Sequence, residues 1–264
     1  MNPAQVAAVL SIGLFVAMAG CLEAGYRMAR RGSGARSESG SPGVGAVEAA
    51  VFALLGLLLG FSFSGATSRL EIRRELIVQE ANAIGTAYLR LDLLPAAEQP
   101  PMRDLFREYL DARLRMQERL QDLEAADREL ARAEQLQQAI WSRAVAASRA
   151  DSTQNVARLL LPALNETMDI TTTRTIAQRT HLPWLIFGLL VSLALLSGLL
   201  AGYAMGSRES RSWLHVVLYS AVVAITIYVV IDLDHPRSGL IRLDAADNAL
   251  VKLRNSIRDG SPPR

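Results

Sequence analysis

Asp232 and Asp234 stand on either side of Leu233 at the end of an apolar run, directly before His235, Pro236 and Arg237. If the run is a helix, both carboxylates face the negative end of its macrodipole, which costs a few tenths to about 1 kcal/mol unless cations offset it. Arg69, Arg73 and Arg174, with Asn165 and Asp169, flank other apolar runs and could complete such a set. The chemistry this points to is a charge network at the edge of an apolar phase, ahead of ion conduction or catalysis. A second group is Phe61-Ser62-Phe63-Ser64, where hydroxyls alternate with phenyl rings, a mixture suited to lining a narrow, partly dewetted pore. Glu48 and Glu23 lie toward the ends of apolar runs; an ionisable residue in a span is a functional candidate, but both are close enough to an end to snorkel. The histidines His181, His215 and His235 show no metal-ligand spacing, and Cys21 is the sole cysteine. With no paired nucleophile and base and no phosphate-binding loop, neither an enzyme, a metal nor a cofactor is expected.

The elements that must position these residues follow from how polarity is distributed. Half of the 264 residues are apolar and a fifth are charged, and the two classes are segregated, with charge-poor ends and a charge-rich middle. Four runs are long enough to cross a bilayer as helices: Ala4 to Gly25, Val44 to Gly65, Leu182 to Tyr203 and Trp213 to Ile231. Trp184, Trp213, Tyr203 and Tyr228 fall near their ends, where an interfacial aromatic belt belongs. Ala19-Gly20-Cys21 superficially resembles a lipoprotein cleavage site, but no basic residue precedes it, so the first run is read as a retained helix. Gly56, Gly60 and Ser64, and separately Gly198, Gly202 and Gly206, recur every four residues and would let helix backbones approach closely. Arg27, Arg30, Arg31 and Arg36 in the first connection, and Arg208 and Arg211 in the third, slightly favour an outside N-terminus and cytoplasmic hairpin loops. A formal charge of +2 gives no reason to expect a nucleic-acid partner.

Between Thr67 and His181 there are 16 basic and 17 acidic residues, and no glycine occurs from Gly85 to Gly188. With prolines only at Pro95, Pro100, Pro101 and Pro162, this segment reads as a few long helices broken at those points. Leu105, Tyr109, Ala112, Met116, Leu120 and Leu123 recur at helical spacing and predict a packing stripe in a stalk-like bundle. The expected fold is an all-α, polytopic membrane protein. Its expected parts are a first transmembrane hairpin (1–66), a helical extramembrane domain (67–181), a second hairpin (182–231) and a polar tail (232–264).

Four local patterns together resemble a known family. They are Gly60-Phe61-Ser62-Phe63-Ser64-Gly65-Ala66; Glu80-Ala81-Asn82-Ala83-Ile84-Gly85-Thr86-Ala87-Tyr88-Leu89-Arg90; the set Asn165, Asp169 and Arg174; and Asp232-Leu233-Asp234 with Pro236-Arg237 and Gly239. Across nearly the whole chain they resemble the bacterial bestrophin-like domain family, whose function is not established. True bestrophins are oligomeric anion channels with four spans per subunit, so the resemblance implies an oligomeric membrane protein and, more distantly, ion conduction. Their Arg-Phe-Pro tripeptide is missing here. They keep both termini and the middle region cytoplasmic, opposite to the orientation that the arginines favour.

The leading expectation is therefore a homo-oligomeric channel or transport-type protein of the bacterial inner membrane, with an inorganic ion as its cargo and the second span lining the path. The alternative is a non-conducting sensor or scaffold whose helical domain binds a partner.

Overall fold

The computed structural model describes residues 3–32, 42–119, 122–151, 154–207, 213–235 and 244–258. The architecture is all-α: α1 (Pro3–Gly32), α2 (Pro42–Leu89), α3 (Gln99–Glu118), α4 (Leu123–Ala150), α5 (Leu161–Arg179), α6 (Trp184–Ser207), α7 (Trp213–Asp234) and α8 (Asp244–Arg258). The helices α1, α6 and α7 and the apolar stretch of α2 are long and apolar enough to cross a membrane, which marks a multi-pass membrane protein. The chain divides into two compact units, one of residues 1–70 and 181–242, the other of residues 71–180 and 243–264.

In the first unit, apolar residues surround α6 and α7 on every side, as expected of helices whose solvent is lipid rather than water. Val9, Ile12 and Val16 of α1, Leu185 and Leu189 of α6, and Leu214, Leu218 and Ile225 of α7 accordingly point outward. Leu14 and Met18 of α1, Leu55 of α2, Leu190 and Ala194 of α6, and Val223 and Ile227 of α7 form the shared interior. The helices α1 and α6 approach each other closely. A Cβ on Gly202 would overlap the Leu22 carbonyl, and one on Gly25 would overlap the Leu199 carbonyl, so each helix has a glycine notch that receives the other's backbone. Between α6 and α7, Tyr219 donates to Ser197 Oγ at 2.7 Å, and Ser197 donates to the Ala194 carbonyl at 2.8 Å. Each hydroxyl is thereby satisfied without water.

In the second unit the prolines act as sequence reasoning expects. The later part of α2 closes in a 3-10 turn, Arg90–Leu93, just before Pro95, and Pro100 and Pro101 occupy the first turn of α3, where no intrahelical donor is needed. Asp122 caps α4 by accepting from the Ala125 N–H at 3.1 Å. Pro162 enters α5 through a π-turn, Val156–Leu160, and the widened turn carries the chain past the proline ring, which would crowd an α-helical carbonyl. Ile77 and Ile84 of α2, Met102, Phe106 and Leu110 of α3, Ile140 of α4 and Leu164 of α5 are each buried in this unit. Of the expected stripe, Tyr109, Ala112 and Met116 are buried and Leu105 is half-buried; Leu120 and the side chain of Leu123 lie outside the described residues. Residues 244–258, part of the segment read from sequence as a polar tail, form α8. Leu250, Leu253 and Ile257 of α8 are buried, and Arg254 meets Asp111 of α3 at 2.9 Å.

Candidate functional site

Three constellations hold the chemistry-bearing residues, each within one unit. The most enclosed is in the second unit, where Glu80 of α2 lies between Arg113 of α3 and Arg174 of α5. Arg113 Nε donates to Glu80 Oε1 at 2.6 Å, Arg174 donates to Glu80 Oε2, and Arg174 Nη2 also reaches Gln117 Oε1 at 2.8 Å. Tyr109 closes the cluster, with its hydroxyl 2.9 Å from Thr171 Oγ1 and accepting from Gln137 at 3.1 Å. Burial by itself would raise the Glu80 pKa, but the two guanidinia outweigh it and hold the carboxyl down at about 2. Burial pushes the Tyr109 phenol up, so it stays a neutral hydrogen-bonding group. The side chains of Glu80 and Arg113 are fully enclosed and that of Arg174 nearly so, which suits the cluster to holding three helices in register rather than to acting on a substrate.

The second constellation is at the end of α7. Asp234 is fully buried; Arg69 Nε donates to its Oδ1 at 2.8 Å and the Leu182 N–H to its Oδ2 at 2.9 Å. These donors supply the positive partners that a carboxylate at a helix C-terminus needs. His181 Nδ1 lies 3.5 Å from Asp234 Oδ2, and the His181 and His235 rings stack with centroids 4.6 Å apart and planes 5° from parallel. Asp232 is buried on the same helix end. The fold thus joins Arg69 to Asp234. In the second unit, Arg174 donates to Glu80, and Arg73 donates to the carbonyls of Ala177 and Thr180 at 3.1 and 2.7 Å, capping the C-terminus of α5. Asn165 donates to Asp169 at 2.8 Å along the exposed face of α5. Those two residues line a groove of about 540 Å3 with Asn82, Thr86, Glu166 and Thr173. Arg237 lies outside the described residues.

The third constellation is the face of α2 within the first unit. Phe61 and Phe63 are 66% and 45% exposed and Ser64 is exposed, whereas Ser62 is buried. The helix geometry explains the split. At about 100° per residue, Ser62 falls on the same side as Leu55 and Ala66, which are buried. Phe61 and Phe63 flank the opposite strip of Gly56, Gly60 and Ser64. A Cβ added to Gly56 or Gly60 would meet no atom within 4 Å, in contrast to Gly202 of α6. Glu48 is half-buried near the start of the helix.

Glu80 and Arg113 escaped sequence reasoning as a pair. Glu80 is visible as part of a family-like motif, but Arg113 sits on the apolar stripe of α3, and an arginine there reads as a break in periodicity. The signal that could have found it is its position between Tyr109, Ala112 and Met116 on the buried face. A family model described as Bestrophin-like domain matches residues 13–247. No curated protein and no solved structure matches the chain.

Proposed function

The chain belongs to the bestrophin-like domain family, and from that premise we propose that it is a homo-oligomeric, ion-conducting protein of a bacterial cell membrane in which α2 lines the path. The observation that carries this reading is the bare strip of α2. Two helices of the first unit have glycine notches filled by a neighbour, while among the described residues a Cβ built on Gly56 or Gly60 meets no atom within 4 Å and Ser64 is exposed. Small residues in a membrane serve close packing, and exposed hydroxyls serve polar cargo; a strip with both, flanked by Phe61 and Phe63, is suited to surround a narrow path in an assembly of copies. Ser62 is left out of the lining because it faces the interior of its own unit.

The test is ion flux through purified protein in liposomes. Phe61→Ala or Phe63→Ala should raise flux by widening an apolar constriction. Phe52→Ala should lower stability without changing flux, since Phe52 packs edge-on against Tyr219 at 5.9 Å inside the unit. Absence of flux above empty liposomes for common anions and cations, in the wild type and all three variants, would replace this reading by the scaffold. The groove carrying Asn82, Asn165, Glu166 and Asp169 favours that second reading, in which a protein partner docks on the polar faces of α2 and α5.

A further inference from the structure

We propose that His181, Asp234 and His235 form a binding site for a borderline divalent transition metal, with Zn2+ as the representative ion. One donor atom from each of the three residues lies within 4.8 Å of the donors of the other two. The sequence hides this set, because His181 precedes α6 whereas Asp234 and His235 close α7.

The separation at Asp234 also fits a shared metal ion. His181 Nδ1 and Asp234 Oδ2 are 3.5 Å apart, at the outer limit for a hydrogen bond. Two ligands on a tetrahedral Zn2+, each bonded at about 2.0–2.1 Å, stand about 3.3 Å apart, close to the separation found. Bringing His235 in requires a rotation of its half-buried side chain by torsions that a histidine possesses. His181, 41% exposed, gives the ion a route from solvent.

The surroundings are those of a supported ligand set. Asp234 Oδ1 is fixed by Arg69 and its Oδ2 by the Leu182 N–H, so the carboxylate is oriented before any ion arrives. Outer partners of this kind orient ligands and strengthen metal binding. Two imidazoles and one carboxylate select Zn2+, Ni2+ or Cu2+ over the hard cations Ca2+ and Mg2+, which prefer all-oxygen ligands. An ion there would tie the residues preceding α6 to the end of α7.

The experiment uses the full chain in detergent, free of any polyhistidine tag. Zn2+ binding is measured by competition with a chromogenic chelator, and Co2+ by its visible absorption, whose bands report nitrogen ligation. The expected result is one Zn2+ per chain, with His181→Ala and His235→Ala each weakening binding at least tenfold and His215→Ala leaving it unchanged. Asp234→Asn should likewise weaken binding at least tenfold. Unfolding temperatures without metal identify any variant that has lost its fold, and His181→Gln and His235→Gln then replace it. Wild-type affinity in the His181→Ala/His235→Ala double variant, equal binding of Ca2+ or Mg2+, or no stoichiometric binding at all would overturn the proposal.

Discussion

Glu80 carries one negative charge against the two positive charges of Arg113 and Arg174, with all three enclosed in the second unit. Removing the carboxylate strands two guanidinia in a medium that solvates them poorly, so Glu80→Gln should cost about 3–5 kcal/mol. Replacing all three residues by apolar ones of similar volume should cost less than Glu80→Gln alone, a comparison that thermal unfolding followed by circular dichroism can make. The pH dependence has a definite sign. The folded pKa of Glu80 is lowered from 4.5 to about 2, so its contribution is fully present above 4.5 and disappears as pH falls toward 2. Between pH 6 and pH 3 the wild type should therefore lose stability more steeply than Glu80→Gln. At the end of α7, a double-mutant cycle of Arg69→Gln with Asp234→Asn should show a coupling of about 1–3 kcal/mol. Sequence indicated that the aspartates at a helix end needed cations, because the macrodipole argument is local. It could not pair Arg69 with Asp234, because that pairing depends on which side chains converge in three dimensions.

The two glycine ladders look equivalent in the sequence, and the elements that carry them use them differently. Gly202 meets the Leu22 backbone, so Gly202→Leu should force α1 and α6 apart and lower the unfolding temperature sharply. Gly56→Leu has open space to enter and should leave the protomer's stability nearly unchanged. Under the proposed function it should instead disrupt assembly, which light scattering of the purified protein would detect. Proline positions were legible because a proline's missing donor restricts where helices begin and end. The helix α8 was not, because its buried residues Leu250, Leu253 and Ile257 are spaced through a polar sequence whose average conceals them.

For the molecule as a whole, the four apolar helices were the most legible feature, since a bilayer admits few backbone solutions and each announces itself by length. A two-hairpin topology would put the connection after α1 and the connection after α6 on one membrane face. With Cys21→Ala as background, single cysteines at Ser33 and Ser210 should be labelled by an impermeant thiol reagent from the same side, and labelling from opposite sides would reject the two-hairpin topology. The notches of Gly25 and Gly202 also have a consequence for biogenesis. They are 177 residues apart by subtraction of their numbers, so at about 5–20 residues per second a ribosome needs roughly 9–35 s to deliver α6 after α1 has emerged. During that interval α1 must reside in the membrane with its notch facing lipid or the insertion machinery. The partner that first covers Gly25 in the cell is therefore not the one that keeps it.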